Sequence, residues 1–244
     1  MQKSILIINN MRDKNKKLLA LVVAGGQGIR AGFRKQYAML GDEPVLVRSC
    51  KAMEKSEMIA AIAVSVPEED IFFVEKMLKT YGVSKITAVI AGGAERQDTV
   101  RLALEKFSGQ FDFILIHDAA RPLVDRVTVD NVIKRAFADS AAIVAVPSKD
   151  TMKLVEAGSG IILTTPPRDT VYLAQTPQVF SYELIQKAHA LASAKGWVIT
   201  DDASAAEMAG INVIVVEGSY TNIKLTTKED FIIAEAILKA AETI

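Results

Sequence analysis

The stretch AGGQGIRAGFRKQY, Ala24 to Tyr37, follows the apolar run LLALVVA and combines early glycines with Arg30, Arg34 and Lys35 and no acidic residue. Glycine at Gly25, Gly26 and Gly28 lets backbone N–H groups come close to anionic oxygens. A guanidinium and an ammonium just beyond them, at Arg30 and Lys35, suit a polyphosphate whose charge grows as a bond breaks. A basic loop that meets only water is the plainer reading, but glycines placed directly after a buried strand favour phosphate. Gly26-Gln27-Gly28-Ile29-Arg30-Ala31 also fits the dinucleotide fingerprint G-x-G-x-x-A. That fingerprint should open a helix at once and be followed by an acid about 20 residues on. Here FRKQYAMLGDEP follows, with Gly41 and Pro44 delaying any helix, and the next clear strand ends near Pro67. No Gly-Lys-Ser/Thr closes the segment, so a Walker loop fails too.

Further clusters belong with this loop. HDAARP, His117 to Pro122, follows the apolar run FDFILI, which puts Asp118 at a strand's carboxyl end. One carboxylate there, completed by phosphate oxygens and water, is a usual way of holding Mg²⁺; the same Asp could instead cap the next helix. His117 and His189 read as packed or hydrogen-bonded rather than as ligands. AGGAERQDTV sets Gly92 and Gly93 after the strand ITAVI as a second backbone-rich wall, with Asp98 able to cap or to pair with Arg96, and Thr99 able to bond a base or to cap the turn. In TNIKLTTKEDF, Lys224 lies in a short β-like stretch between Ile223 and Leu225 and wants an anion, while Thr226 or Thr227 caps a last helix with Glu229 or Asp230 in its first turn. There is no Ser-His-Asp order and no zinc spacing. Phosphoryl or nucleotidyl transfer needs mainly positioning and charge stabilisation, and an acceptor phosphate is already ionised, so no protein base is required.

These residues must be positioned by strands and helices. Apolar, β-branched runs at residues 18–24, 59–66, 86–90, 111–117, 141–147 and 211–217 read as buried strands. Amphipathic segments at 68–81, 96–107, 127–139, 182–195 and 228–241 read as helices between them. The alternation predicts an α/β fold, a mostly parallel twisted sheet with helices on both faces, and ligands outside the strands' carboxyl ends. Thr151–Val155 and Ile161–Thr165 could pair as a hairpin around EAGSG, after which Pro166 and Pro167 interrupt regular structure. A hairpin with apolar tips rarely stands bare in water, so an arm at about 148–170 suggests a partner subunit. Residues 18–244 read as one domain and residues 1–17 as a poorly ordered extension. The chain has a formal net charge of zero, 50% hydrophobic residues and a single cysteine, Cys50, expected to be buried in a helix. These values carry no global bias toward nucleic acid, exclude an intrachain disulfide and suit a reducing, cytoplasmic compartment. No apolar run reaches the roughly 20 residues of a membrane span.

The motifs AGGQGIRAGFRKQY, AGGAERQDTV, HDAARP, KDTMK, AQTPQVF, TDDASAAE and TNIKLTTKEDF occur in this order. Together they resemble the 2-C-methyl-D-erythritol 4-phosphate cytidylyltransferase family, from Ala20 to the C-terminus. The resemblance implies a Rossmann-like nucleotidyltransferase fold and CMP transfer from CTP to 2-C-methyl-D-erythritol 4-phosphate, giving 4-diphosphocytidyl-2-C-methyl-D-erythritol and pyrophosphate, with Mg²⁺ at Asp118. It implies nucleotide binding by Ala24, Gly25, Gly26, Gly28, Gly92, Gly93, Thr99, Asp118 and Ala119. It implies transition-state stabilisation by Arg30, Lys35 and Lys224, and sugar-phosphate binding by Thr151 and Arg168, with Arg168 reaching the neighbouring subunit of a homodimer joined by the arm. Arg121 and Thr176 match further pocket positions. The family commonly has Ala-Ala-Gly where this chain has Ala24-Gly25-Gly26, and a proline where Arg34 stands. A cytidylyltransferase for another polyol phosphate, such as ribitol 5-phosphate, would share the same charges. A non-catalytic nucleotide-binding module would share the fold.

Overall fold

The computed structural model describes residues 16–25 and 34–242. Gly26, Gly28 and Arg30 therefore lie outside the described residues, as does the extension expected at the N-terminus, except for its last two residues. Those two are anchored rather than loose. Lys16 Nζ donates to Phe137 O at 2.8 Å and lies over the Phe113 and Phe137 rings, and Lys17 N donates to Asp112 Oδ2 at 2.7 Å.

The expected strands form as β1 (Leu18–Val23), β4 (Ala61–Val66), β5 (Ile86–Ala91), β6 (Phe113–Asp118), β7 (Ala141–Pro147) and β11 (Ile214–Glu217). Short strands β2 (Met39–Leu40) and β3 (Glu43–Pro44) pair with each other. With β10 (Tyr172–Ser181), the main sheet has seven strands in the order β11-β7-β10-β6-β1-β4-β5. All its pairings are parallel except those of β10, which runs antiparallel between β6 and β7. The sequence reading sets no strand there; Pro177, which cannot donate to a ladder, is unusual in a central strand. The register of β10 against β7 shifts between Ala174 and Gln178, and that irregularity accommodates the proline.

Helices cover both faces. On one side lie α1 (Val45–Glu54), α2 (Ile71–Thr80) and α4 (Arg126–Asp139). On the other lie α3 (Arg96–Lys106), α5 (Tyr182–Lys195) and a short α6 (Asp202–Met208). Strand β1 shows why both faces hold: Leu18, Ala20 and Val22 enter one core cluster and Leu19 and Leu21 the other, the twofold side-chain alternation of a strand buried on both faces. Cys50 is fully buried in α1. A final helix, α7 (Lys228–Glu242), packs Ala234 with Leu40, Val45 and Leu225 in a small third cluster. Its start is closed by Asp230, whose Oδ2 accepts from Thr226 N, Thr226 Oγ1 and Thr227 N at 2.6–2.7 Å.

Beyond β7, Leu154–Val155 (β8) and Ile162–Thr164 (β9) make a separate two-stranded antiparallel ladder. All five of these residues are exposed. Among the described residues no helix is long and apolar enough to cross a membrane.

Candidate active site

A cavity of about 450 Å³ opens at the carboxyl edge of the sheet, where β1, β5 and β6 end. Its walls include Ala24 and Gly25 after β1, Gly93 to Arg96 after β5, Asp118 and Ala119 at the end of β6, and both Lys35 and Lys224. Lysines 189 residues apart in sequence thus share one cleft. The loops are stitched as they leave the sheet: Ala24 N donates to Ser65 O at 2.8 Å, Gly92 N to Val66 O at 2.8 Å and Ala119 N to Val23 O at 3.0 Å.

Gly93 has a steric reason to be glycine. A Cβ there would stand 2.3 Å from Asp98 Cβ, because the loop folds tightly over the first turn of α3. Its N–H donates to Thr99 Oγ1 at 3.0 Å, and the same hydroxyl donates to Glu95 O at 3.0 Å. Of the two uses open to Thr99, the chain shows the turn cap. The beginning of α3 then faces the cavity, where partial positive charge favours anions.

The floor is a line of alternating charges. Lys224 Nζ donates to Asp118 Oδ2 at 2.6 Å; Arg96 Nε donates to Asp118 Oδ1 at 3.2 Å and its Nη2 to Asp202 Oδ2 at 2.7 Å; His189 Nε2 donates to Asp202 Oδ1 at 3.0 Å. Asp202 is fully buried and Asp118 nearly so, while the Lys224 side chain keeps 39% of its exposure. Burial pushes the Asp118 carboxyl up, but the charges of Arg96 and Lys224 outweigh it and hold it well below the usual range. Asp202 follows the same balance, burial opposed by Arg96 and His189. Burial also pushes the Arg96 guanidinium down, and the two carboxylates more than reverse this. Both acids are ionised and matched at neutral pH. The sequence reading considered Arg96 only as a partner of Asp98. Asp98 is instead reached by Arg101 at 3.8 Å, and Arg96 turns inward.

Behind the floor, His117 is buried between Thr176 Oγ1 and Arg121 O, each 3.1 Å from a ring nitrogen. Asp118 N donates to Thr176 Oγ1 at 3.0 Å, so that hydroxyl gives its own proton to His117 Nδ1, and Nε2–H donates to the Arg121 carbonyl. Burial pushes the His117 ring down to about 4, which keeps it neutral. It is a packed, hydrogen-bonded residue, as its type suggested.

Arg121 and Thr176 lie behind the cavity wall rather than in its lining. Arg121 Nη1 donates to Asn222 O at 2.8 Å and Nη2 to Ala174 O at 3.3 Å. Asn222 Nδ2 donates to Thr176 O at 3.0 Å, and Leu225 N to Ala120 O at 2.8 Å. These bonds hold the segment bearing Lys224. That segment is irregular rather than β-like, yet it is tied on both sides of the lysine. Gly92 also stands behind the wall. Thr151 and Arg168 meet each other, Nη2 to Oγ1 at 3.1 Å, at the exposed root of the β8–β9 ladder and away from this chain's own cavity.

Two further motifs meet beneath the floor. Gln178 of AQTPQVF donates Nε2 to Asp201 Oδ2 at 2.7 Å and accepts from Asp202 N and Ala203 N at 3.1 and 3.0 Å. Asp201 and Ser204 form a capping box that starts α6 and fixes Asp202 at its first turn. Arg96 and Asp202 are the site residues that sequence reasoning missed; the Asp201–Ser204 capping pattern was the available signal for the second.

Comparison with known proteins points to one family. A family model described as 2-C-methyl-D-erythritol 4-phosphate cytidylyltransferase matches residues 18–240. The chain is 43% identical over 228 residues to the protein of that description from Geobacter metallireducens, covering 91% of this chain and 97% of the relative. It is 44% identical over 229 residues to the one from Lachnoclostridium phytofermentans, covering 92% and 97%. A solved structure, 4-diphosphocytidyl-2C-methyl-D-erythritol synthase from Anaerococcus prevotii, superimposes with a TM-score of 0.83 at 30% identity over 92% of this chain and 96% of that one. On sequence, fold and the residues gathered at its cleft, the chain belongs to the 2-C-methyl-D-erythritol 4-phosphate cytidylyltransferase family.

Proposed function

We propose that this chain transfers CMP from CTP to 2-C-methyl-D-erythritol 4-phosphate, giving 4-diphosphocytidyl-2-C-methyl-D-erythritol and pyrophosphate. The observation that carries this reading is that Lys35 lines the same cleft, beside a glycine-lined wall, in which Lys224 and Arg96 meet Asp118. An oxygen of the acceptor's 4-phosphate attacks the α-phosphorus of CTP, and the bond to the bridging oxygen breaks as pyrophosphate leaves with the electron pair. Negative charge grows on the phosphoryl oxygens as this happens. Fixed ammonium groups at Lys35 and Lys224 stabilise that charge more than they stabilise the ground state. Arg30, outside the described residues, belongs with them on the family pattern.

Asp118 is our candidate for holding Mg²⁺. Among the described residues no group of three or more His, Cys, Asp or Glu could hold a metal by itself. A single carboxylate fits a cation carried mainly by phosphate oxygens and water. Mg²⁺ would supply further charge neutralisation across the phosphates.

We also propose a cytoplasmic homodimer joined through the β8–β9 ladder. Ile161, Ile162 and Leu163 are each about 60% exposed, more apolar surface than a free tip usually leaves in water. In such a dimer Thr151 and Arg168 would serve the neighbouring cleft. Sedimentation of a stable, fully active monomer would refute it. The function itself is tested by pyrophosphate release from CTP and Mg²⁺ with methylerythritol phosphate or ribitol 5-phosphate as acceptor. We expect release with the first. Release only with the second would overturn the acceptor assignment.

A further inference from the structure

The segment that carries Lys35 is gripped from both sides. Arg34, just before it, places Nη1 2.5 Å from both carboxylate oxygens of Asp70 and Nη2 3.3 Å from Glu69 Oε1. Tyr37, two residues after it, donates its phenol to Asp70 Oδ2 at 2.8 Å and meets Phe73 edge to face at 5.4 Å. Gln36 is buried and donates Nε2 to Ala24 O at 3.2 Å, so it ties this segment to the end of β1.

The turn geometry explains the division of labour. Lys35–Tyr37 is a 3₁₀ turn, with Tyr37 N donating to Arg34 O at 3.0 Å and Ala38 N to Lys35 O at 3.2 Å. Three residues per turn put positions i and i+3 on the same side. Arg34 and Tyr37 are such a pair, and they reach the same carboxylate. Lys35 is rotated about a third of a turn away, and it lines the cleft. Asp70 itself is buried and does not line the cleft. It immediately precedes α2, whose Val74, Met77 and Leu78 are packed in the core, so the grip is fixed to a rigid base. Burial and the adjacent carboxylate raise the Tyr37 phenol well above its ordinary value, which keeps it a donor.

We propose that Asp70 is a positioning residue for nucleotidyl transfer: by holding Arg34 and Tyr37 together it sets the rotation of the 3₁₀ turn and so aims Lys35 into the cleft. This inference rests on the cytidylyltransferase reading and adds to it a residue outside the cleft.

The test is a double-mutant cycle on pyrophosphate release, with melting temperature followed in parallel. Wild type comes first: no release from CTP, methylerythritol phosphate and Mg²⁺ overturns the parent reading, and the positioning role with it. Given wild-type turnover, Asp70→Asn lowers kcat about tenfold, because a displacement near 1 Å is enough for losses of that order or larger. The KM for CTP stays within about threefold, since uniform binding is retained. In a Lys35→Ala background the same Asp70→Asn change alters turnover by less than about twofold, because the group it aims is gone. Equal losses in both backgrounds, or an unchanged kcat in Asp70→Asn, overturn the proposal. Should Asp70→Asn fail to fold, Tyr37→Phe removes one of the bonds and gives a smaller loss, about threefold, that also vanishes without Lys35. A loss that persists there overturns the proposal equally.

Discussion

Replacing Arg96 with methionine removes the guanidinium shared by two carboxylates and keeps most of the side chain's bulk. Asp202 is fully buried and would keep only its bond to His189, while Asp118 would keep its bond to Lys224 and the charge of Arg121. Breaking a buried ion pair by deleting one partner costs about 3–5 kcal/mol, because a charge remains without compensation. For a chain of this length each 1 kcal/mol moves Tm by about 2–4 °C, so Arg96→Met should melt roughly 6–20 °C lower at pH 7. The pH dependence is a sharper signature. In the wild type, Asp202 titrates below its unfolded value, so its contribution is present above the ordinary carboxylate pKa and lost as pH falls below it. In the variant the lowering by Arg96 is gone and burial dominates, so the carboxyl takes up a proton more readily. The gap between the two proteins should therefore narrow as pH falls from 7 toward 4.5. Denaturant unfolding at both pH values measures it. A deficit under about 1 kcal/mol at pH 7, or a gap of equal size at both pH values, would refute the argument that Arg96 neutralises buried charge.

Lys35→Ala and Lys224→Ala should each lower turnover by about 10² or more, the usual consequence of losing a transition-state charge partner; pyrophosphate release measures it, and near-normal turnover in either variant removes that lysine from the mechanism. The neutral, buried His117 predicts acid sensitivity above the carboxylate range. Its folded value of about 4 lies below the ordinary 6.5, so unfolding takes up a proton between those values. Stability then falls with falling pH through that window by up to about 3 kcal/mol. Unfolding curves at pH 7, 5.5 and 4.5 check this, and His117→Asn should flatten the slope. Gly93→Ala should weaken CTP binding about tenfold, because the new methyl group meets Asp98 and forces the loop off its turn; titration calorimetry with CTP reads this directly, and unchanged affinity would mean that the loop gives way freely.

Local chemistry was legible and long-range pairing was not. The strand runs announced themselves because buried parallel strands are continuous apolar stretches, and Asp118 could be placed at a carboxyl end because it follows one of them. Lys224, flanked by Ile223 and Leu225, correctly pointed to an anion, but that its partner in the chain is Asp118 follows only from the sheet order. Arg96 was read against its sequence neighbour Asp98, whereas its partners lie 22 and 106 residues away. Strand β10 was not expected at all: its AQTPQVF run lacks a continuous apolar stretch and carries Pro177, which a central strand seldom holds. Helix α6 is a seven-residue run with too few large apolar residues to show a helical period, so only its cap betrayed it. Arg34 stands where the family commonly has proline, which left the stiffness of the loop open. Its partners Asp70 and Glu69 sit in a short turn, Glu68–Asp70, more than 30 residues further along the chain, which no pattern in AGFRKQY could reveal.

The last strand of the seven-stranded sheet ends at Glu217, yet Lys224 and the helix that seals its segment come afterwards. One of the cleft's cations is thus written after every strand of the scaffold, while the others lie between the strands. A growing chain released up to Glu217 already carries every strand of the scaffold but not the ammonium that faces Asp118. On the proposed mechanism, the sheet is therefore complete before the residue that would finish its cleft's charge.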